Sequence, residues 1–343
     1  MGHYELPIFS FLAVLLVLLP LPWHIKARNV ATLSLIAWLA VCNFMRGVNA
    51  VIWMNNVHIH YRVWCDITAK AFIGMGVALP ACSFCITRYL EHVSSARYAV
   101  TTAADKRRRQ KIDLCFTFGL PIIIMCLHYV VQGHRFDIIE HTGCQPHIYI
   151  SIPGIIICFV PAIILSLGSI IYAALALHHF AKRRFEFEQH LRDSQSSLNT
   201  GRYLRLMGLA LTEMGWGESL GLYTLYRNTV LNQVRPWTNW NDVHYNFSRI
   251  AIWPQFLIPP GDWARLMLLW WILPATAMLF FLFFGFSEEA IEGYVACYRW
   301  FRRTILRQTL PVASTTGSYG KGLGTSLPQF NKYVPPIGWL STA

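Results

Sequence analysis

Long apolar blocks separated by short polar stretches make up most of the chain. Each block is about 20 residues or longer, enough for a helix to cross a hydrocarbon core of roughly 30 Å. The seven blocks are Leu6–Trp23, Val30–Trp53, Ile67–Ile86, Ile112–Val131, Tyr149–Leu177, Leu204–Tyr226 and Ala264–Phe286. The sixth is the least regular, because it carries Glu213, Glu218 and several glycines. The pattern predicts an all-α membrane protein, with a seven-transmembrane helix bundle over residues 1–286.

The basic residues predict how this bundle is oriented. Lys26 and Arg28 follow the first block, whereas no lysine or arginine precedes it. If the N-terminus is extracellular and the C-terminus cytoplasmic, the predicted cytoplasmic segments hold most of the 29 lysines and arginines. Cytoplasmic loops carry an excess of these residues. The distribution therefore favours this topology over its inverse.

Composition supports the membrane assignment. The chain is 55% hydrophobic and 13% charged, whereas soluble domains average about 25% charged. Its net charge of +12 is of the size that nucleic-acid-binding proteins carry. The basic residues lie between the apolar blocks, however, so we expect membrane lipids and a cytoplasmic protein as partners, and no nucleic acid.

Two further segments follow the bundle. Residues 287–308 begin with Glu288 and Glu289 and end with arginines, and their aromatic residues recur at helical spacing. This pattern predicts an amphipathic juxtamembrane helix on the inner surface. Cys297 within it is a candidate for palmitoylation. Residues 309–343 are rich in Ser, Gly and Pro and are predicted to be a disordered cytoplasmic tail.

The predicted outer loops contain two cysteines at the edges of the blocks. Cys65 and Cys144 both face an oxidising compartment in this topology. We expect a disulfide between them, with two free thiols as the alternative. The last outer loop, Arg227–Trp263, is long and rich in aromatic residues. It also contains Asn246-Phe-Ser248, a glycosylation sequon.

Ionisable residues at membrane depth are candidates for function. They are Arg46, Lys70, Glu213 and Glu218, together with Asp66 at the outer mouth of the bundle. An uncompensated charge in hydrocarbon is costly. We therefore expect these groups to face inward and to pair with one another or with a polar ligand.

Catalytic motifs are absent from the sequence. It contains no phosphate loop, nucleophile elbow or HExxH, and no Cys/His spacing typical of zinc sites. We therefore predict no enzyme, cofactor or metal site. The outer-loop histidines are interpreted as surface residues: His58, His60, His134, His141 and His147. A seven-helix transporter or a metal-dependent membrane hydrolase is the alternative, to be tested by ligand-dependent flux or by metal analysis.

Several motifs together resemble one family. They are Arg202-Tyr-Leu-Arg-Leu-Met207, Trp237-Thr-Asn-Trp-Asn-Asp-Val-His244, Phe283-Phe-Gly-Phe-Ser-Glu-Glu-Ala290, Pro80, Arg88-Tyr-Leu90 and Gly143-Cys-Gln-Pro146. Over roughly residues 6–308 the chain resembles the fungal receptors for lipid-modified mating pheromones, the class D G-protein-coupled receptors of the a-factor receptor type. It departs from the Asp-Arg-Tyr signature of the largest receptor class, since Thr87 precedes Arg88.

The resemblance implies a plasma-membrane receptor that binds a secreted farnesylated peptide and activates a heterotrimeric G protein. With the charge pattern, it suggests ligand contacts at Arg46, Asp66, Lys70, Glu213, Glu218, Trp237, Trp240 and His244. It suggests G-protein coupling through Arg88, Lys106, Arg107, Arg108, Arg109, Arg202 and Arg205. The sequence does not determine the pheromone or the oligomeric state, and it leaves a homodimer open.

Overall fold

A computed structural model describes residues 2–95, 102–182, 200–213, 215–216, 219–231 and 233–304. Within these residues, six helical segments are long and apolar enough to span a membrane. They are Glu5–Ala27, Val30–Ile52, Arg62–Ser94, Ala103–Val131, Val160–Lys182 and Pro260–Phe284. These spans correspond to six of the seven predicted blocks, and we call them the first to fifth spans and the C-terminal span. The predicted helical membrane architecture is confirmed to this extent.

The remaining predicted block, Leu204–Tyr226, is interrupted. Its described parts are the helices Thr200–Glu213 and Ser219–Tyr226, followed by a π-helical turn at Arg227–Leu231. Among the described residues neither helix reaches the length needed to cross a bilayer. The seventh span therefore stays a prediction.

Two of the spans are built from shorter pieces, and a third is preceded by a short helix. The first consists of Glu5–Leu18 and Leu21–Ala27, with Pro20 just before the second piece. In the fourth, a π turn at Cys115–Gly119 separates two α-helices. Its pieces are Ala103–Leu114, Leu120–Leu127 and a 3-10 turn at His128–Val131. A short helix, Ile152–Cys158, leads into the fifth span.

Prolines inside two spans leave carbonyl groups without a helical hydrogen bond. Side chains of the second span donate hydrogen bonds to these carbonyl groups. Proline has no N–H, so the carbonyl four residues before it loses its helical partner. The Thr117 carbonyl, four residues before Pro121, accepts a hydrogen bond from Trp38 Nε1 at 2.9 Å. The Trp270 carbonyl, four residues before Pro274, accepts one from the Arg46 guanidinium. The second span is thereby hydrogen-bonded to the fourth and C-terminal spans.

The third span is the central helix of the bundle. Of the 18-residue apolar stretch of this span, 67% is buried, whereas the corresponding share in the other five spans is between 28% and 44%. With 33 residues it is about 50 Å long, so it extends beyond both sides of a hydrocarbon core of roughly 30 Å. Asp66 lies near one end and Arg88 near the other.

A small sheet closes the end of the bundle at which the third span begins. The strands are β1 (Phe136–Ile139), β2 (Gly143–Gln145) and β3 (Ile250–Trp253), in the order β2-β1-β3. β1 pairs antiparallel with β2, placing Ile138 opposite Cys144. It pairs parallel with β3, placing Phe136 opposite Ile250. The sheet was not predicted from the sequence, and it joins two loops distant along the chain.

One glycine of this sheet is required by its surroundings. Gly143 has φ +72°, and an added Cβ would lie 2.7 Å from side-chain atoms of both Asn49 and Trp53.

We call the end of the bundle that the sheet closes the crown (residues 53–66, 128–151 and 233–259). Besides β3, its last loop contains a one-turn helix, Trp240–Val243, and a 3-10 turn, Gln255–Leu257.

The opposite end of the bundle is the basic end (residues 24–30, 87–95, 102–114 and 200–205). A further helix, Glu288–Thr304, lies within the predicted juxtamembrane segment 287–308. The chain forms one compact unit over Met1–Val295 and a second from Ala296 onward. The side chain of Cys297 and the predicted tail, 309–343, lie outside the described residues.

Candidate functional site

A disulfide anchors the crown to the central helix. Cys65, in the first turn of the third span, is bonded to Cys144 of β2, with a Cα–Cα distance of 5.2 Å. This is the pairing expected from the sequence. Both cysteines are buried and pack with Trp53 and Phe136 in an apolar cluster. The bond joins positions 79 residues apart and thus fixes the second crown loop to the bundle.

Asp66 forms a bidentate ion pair with a loop arginine. Arg135 donates from Nε to Asp66 Oδ1 at 2.9 Å and from a terminal nitrogen to Oδ2 at 2.5 Å. The hydrogen bond that Arg135 donates to Asp66 raises the pKa of Arg135. Among the described residues the cation that Asp66 binds is therefore Arg135 and not Arg46 or Lys70, and a ligand contact at Asp66 stays a prediction. Its carboxylate ties the crown loop to the third span.

Lys70 contacts neutral polar groups among the described residues. Its ammonium donates to Gln132 Oε1 at 2.8 Å and lies 2.9 Å from His128 Nδ1. The other ring nitrogen of His128 lies 3.1 Å from the His147 carbonyl. An ammonium is a donor only, so His128 accepts at Nδ1 and donates at Nε2. Lys70 thus ends a chain of neutral polar groups that leads into the crown.

The other membrane-depth cation, Arg46, is bound by carbonyl groups. It donates to the Leu269 carbonyl at 3.3 Å and to the Trp270 carbonyl that Pro274 leaves free. Its guanidinium also lies over the ring of Phe72, 5.7 Å from the centroid. Among the described residues the partners of Arg46 are thus carbonyl groups and a ring, and its pairing with an acid or a polar ligand stays a prediction. The acids expected nearby, Glu218 and the side chain of Glu213, lie outside the described residues.

A buried histidine–aspartate group holds the crown loops together. His134 Nε2 lies 2.7 Å from Asp137 Oδ1, and His147 stacks on His134 with ring centroids 3.7 Å apart. Burial raises the pKa of Asp137, but hydrogen bonds from the two histidines outweigh it and lower this pKa to about 2. Arg249, next to β3, lies 3.2 Å from His134 Nδ1. The group therefore links the second and third crown loops.

The interpretation of the loop histidines as surface residues is wrong for two of them. His134 and His141 are both only 3% exposed, whereas His58 and His60 are exposed. His141 Nε2 lies 3.1 Å from Gln255 Oε1, and its ring contacts those of His3 and Trp263 edge-on. Burial, with His3 nearby, lowers the pKa of His141.

The same histidines have the donor chemistry of a transition-metal site. His134, Asp137 and His147 each offer a ligand atom, and these atoms lie within 4.8 Å of one another. Arg249 can donate only to an unprotonated Nδ1 of His134. The proton of that ring therefore lies on Nε2, toward Asp137, where a metal would have to bind. The arrangement is a closed hydrogen-bond network and fits a metal poorly.

An aromatic patch lies between the third crown loop and the end of the fourth span. Trp240 and His244 stack with centroids 4.0 Å apart, and Tyr129 lies 5.7 Å from Trp240. His244 Nε2 lies 2.8 Å from the Tyr129 carbonyl, and Trp237 donates to the Val130 carbonyl at 3.3 Å. Trp240 and Tyr129 remain 45% and 47% exposed. The three residues predicted in this loop, Trp237, Trp240 and His244, are thus brought together.

The predicted glycosylation site lies beside the aromatic patch. Asn246 is exposed and has φ 51°, a left-handed conformation that asparagine tolerates better than most residues. Its carbonyl accepts a hydrogen bond from Arg249 N at 3.0 Å. The asparagine side chain is accessible, as modification requires.

At the basic end, Arg88 has an acidic partner that sequence reasoning missed. It donates to Asp113 Oδ1 at 2.6 Å, and the carboxylate is only 7% exposed. Thr87, which stands where the largest receptor class has its acid, instead lies 3.2 Å from the Ser169 hydroxyl of the fifth span. The signal for Asp113 is its position between Ile112 and Leu114 at the start of an apolar block, where an unpaired acid is costly.

The other described coupling residues lie at the same end of the bundle. Lys106, Arg107 and Arg108 are exposed, and Arg109 lies over the Tyr89 ring at 4.6 Å. Arg205 is partly buried. The side chain of Arg202 lies outside the described residues.

Comparison with known proteins identifies the family. Residues 5–303 match the family described as STE3, pheromone A receptor. The Pheromone B beta 1 receptor of Schizophyllum commune is 44% identical over 98% of this chain and 62% of its own length. Pheromone receptor 1 of Ustilago hordei is 33% identical over 84% of this chain and 81% of its own. The Pheromone a factor receptor of Saccharomyces cerevisiae is 27% identical over 82% of this chain and 59% of its own.

The chain spans only 62% and 51% of the first two Schizophyllum commune relatives it matches. No solved structure matches it. The family match covers all six described spans and both ends of the bundle. The chain belongs to the STE3 pheromone A receptor family.

Proposed function

We propose that this chain is a mating-pheromone receptor that binds a secreted farnesylated peptide and activates a heterotrimeric G protein. The observation that carries this proposal is the family match over residues 5–303. In this proposal Leu204–Tyr226 supplies the seventh span, and the crown faces outward from the plasma membrane. Residues 287–308 lie on the inner surface, and residues 309–343 form a disordered tail.

The ligand is proposed to bind at the crown. A farnesylated peptide needs an apolar surface for the isoprenoid and polar groups for the peptide. The aromatic patch offers half-exposed rings at the end of the fourth span, where an isoprenoid can arrive through the outer leaflet. Polar groups lie close by: Lys70 Nζ is 6.0 Å from the centroid of the Tyr129 ring and donates to Gln132. Arg46, Glu213 and Glu218 remain proposed ligand contacts deeper in the bundle.

The signal is proposed to reach the G protein by opening the basic end. The Arg88–Asp113 ion pair holds the third and fourth spans together there. A ligand that binds the open form more tightly shifts the population toward it. A tenfold shift requires about 1.4 kcal/mol of differential binding. Opening exposes Arg88 alongside the proposed coupling residues Arg107, Arg108, Arg202 and Arg205.

A reconstituted system tests the proposal. Purified full-chain receptor in lipid nanodiscs is mixed with a heterotrimeric G protein and a farnesylated peptide encoded by the same genome. We expect nucleotide exchange to rise only when the peptide carries the farnesyl group. An equal response to the unmodified peptide would contradict the lipopeptide assignment, and no response to any such peptide would contradict the receptor function.

A matched pair of tryptophan variants tests the ligand site. Trp240→Ala removes a ring of the aromatic patch, and Trp253→Ala removes a ring from β3; the two residues are 45% and 44% exposed. We expect the Trp240 variant to shift the peptide dose response by roughly tenfold, since aromatic anchors at binding sites commonly contribute more than 1 kcal/mol. The Trp253 variant should respond like the unmodified receptor. Equal shifts would exclude a specific role for the patch.

A further inference from the structure

A pocket of about 350 Å³ opens at the basic end, between the first loop and the start of the fourth span. Its wall includes Lys26, Arg28, Tyr89, Lys106, Arg109 and Asp113. Four of these six residues are cations. The proposed function leaves this pocket without a ligand.

Among the described residues, the cations around the pocket outnumber the acids. Asp113 is the one carboxylate in the wall, and Arg88 already engages it at 2.6 Å. Within the described part of the chain, no acid lies within 4.0 Å of the charged groups of Lys26, Arg28, Lys106 or Arg109. Like charges held around one space repel each other. The ligand that relieves this repulsion is an anion with several charges.

Contacts between the walls hold the pocket in shape. Gln110 Nε2 donates to the Arg28 carbonyl at 3.2 Å and joins the first loop to the fourth span. Arg109 stacks over Tyr89 and joins the fourth span to the third. Arg28 ends the helix Leu21–Ala27 in a left-handed conformation, φ 52°. These contacts involve backbone and ring groups, so the charged atoms of Lys26, Arg28 and Lys106 remain available.

The position of the pocket favours a lipid over a soluble anion. Ile25 and Leu114 adjoin the wall residues Lys26 and Asp113 in the chain, and both are more than half exposed. Each belongs to a helix able to span a membrane. The pocket therefore lies where apolar surface gives way to cations, at the depth of lipid headgroups. A lipid uses both surfaces, whereas a soluble anion uses only the cations.

We propose that this pocket binds the headgroup of a phospholipid that carries phosphomonoesters, such as a bisphosphorylated phosphoinositide, in the inner leaflet. A headgroup with a single negative charge balances only one of the four cations. A bisphosphorylated inositol offers several charges, and inner-leaflet anionic lipids of this kind are bound by clustered basic residues. The assignment rests on the proposed orientation of the bundle and does not depend on the pheromone.

The helix Ala103–Leu114 divides its cations between two faces. Lys106, Arg109 and Asp113 face the pocket at helical spacing, whereas Arg107, Arg108 and Lys111 line a separate surface. The lipid would thus occupy Lys106 and Arg109, and the other face would remain for the G protein. This division also supplies a control with the same change in charge.

Lipid binding to purified full-chain receptor tests the proposal, with a bisphosphorylated phosphoinositide as the probe and native mass spectrometry as the readout. We expect Lys106→Gln with Arg109→Gln to weaken binding roughly tenfold, which corresponds to about 1.4 kcal/mol. Arg107→Gln with Arg108→Gln removes two charges from the same helix and should change binding less than about twofold. Equal losses in the two variants would overturn the pocket in favour of diffuse attraction.

A second variant protects the test against misfolding. Lys26→Gln with Arg28→Gln alters the opposite wall and should weaken binding as the first pair does; normal binding by this variant would overturn the proposal. Phosphatidylserine at matched total charge and free inositol trisphosphate distinguish the source of the anion. We expect both to bind more weakly than the phosphoinositide, and equal affinity for the free headgroup would overturn the lipid assignment.

These measurements use neither pheromone nor G protein. Their failure would therefore leave the proposed receptor function standing, and failed nucleotide exchange would leave lipid binding standing.

Discussion

The two ends of the bundle are built in different ways. The crown contains the Cys65–Cys144 disulfide, a three-stranded sheet, the Asp66–Arg135 ion pair and the buried group around Asp137. At the basic end, the third and fourth spans are joined by the Arg88–Asp113 ion pair and a stacked arginine. Cross-links of several kinds define one shape for the crown. A single ion pair can be broken and remade.

This difference suits the proposed function, in which a ligand binds at one end and the response occurs at the other. A preformed binding surface avoids the cost of ordering loops when the ligand arrives. The interior between the ends is joined by hydrogen bonds from Arg46 and Trp38 to carbonyl groups near Pro274 and Pro121. Such bonds can be exchanged without breaking a regular helix. We therefore expect the spans to shift against one another more easily than the crown deforms.

The largest effect is expected from removal of the disulfide, which tests whether the crown depends on its cross-links. Replacing Cys65 and Cys144 together by alanine should lower stability by about 2–5 kcal/mol, as is typical for a native disulfide. Thermal melting and surface expression of the purified receptor measure this. Cys126→Ala removes an exposed free thiol and serves as the control. An unchanged melting temperature in the double variant would show that the sheet alone holds the crown.

The next effect concerns the basic end. Asp113→Asn removes the charge that holds Arg88, and hydrogen bonds to charged groups contribute about 1.5–3 kcal/mol. If the pair keeps the basic end closed, nucleotide exchange without pheromone should rise about tenfold. Asp105→Asn makes the same change at an exposed acid on the same helix and should leave exchange unchanged. A folded Asp113 variant with normal basal exchange would separate the ion pair from signalling.

The sequence predicted the spans better than the contacts between them. Apolar block length is a local property, and six of seven blocks became helices able to span a membrane. The sheet joins residue 136 to residue 250, and four-residue strands in loops leave no periodic pattern. The neutral partners of the membrane-depth cations were not predicted, because only acids and a polar ligand were considered as partners. The spacing of Pro274 from Trp270 indicates a free carbonyl, so the partner of Arg46 could have been found.

The histidines show a second reason for error. His134 and His141 were interpreted as surface residues because they lie in loops. Loops are usually exposed, but the sheet and disulfide fold these loops over the bundle and bury both rings. Asp137 is the polar partner that offsets the cost of burying the His134 ring. Such long-range closure is not visible in a local pattern.

An effect of intermediate size is expected from acid, and it should be confined to the crown. Burial lowers the pKa of His141 in the folded receptor, whereas the unfolded chain titrates at about 6.5. Below that pH the unfolded state binds more protons, so stability falls as the pH decreases, by at most about 1.4 kcal/mol per pH unit. Above it this histidine contributes no pH dependence.

Melting temperatures measured from pH 7.5 to pH 5 test this expectation. His141→Gln keeps a donor for Gln255 and should flatten the decline. His58→Gln, at an exposed histidine of the same crown, should leave the decline as it is. A decline of the same size in all three proteins would assign the acid sensitivity to other groups.

The smallest effect distinguishes two roles for Asp66, which was expected to contact the ligand and is found paired with Arg135. Both side chains are partly exposed, and pairs of this kind contribute about 0.2–1 kcal/mol. A double-mutant cycle with Asp66→Asn and Arg135→Gln isolates the coupling between them. If Asp66 only holds the loop through Arg135, the two single variants should reduce stability equally and shift the peptide dose response equally. The double variant should then differ little from either single variant in stability or in dose response. A larger shift of the dose response for Asp66→Asn than for Arg135→Gln, at equal stability, would show that the Asp66 carboxylate contacts the ligand. The ligand would then replace Arg135 as the partner of Asp66 when it binds at the crown.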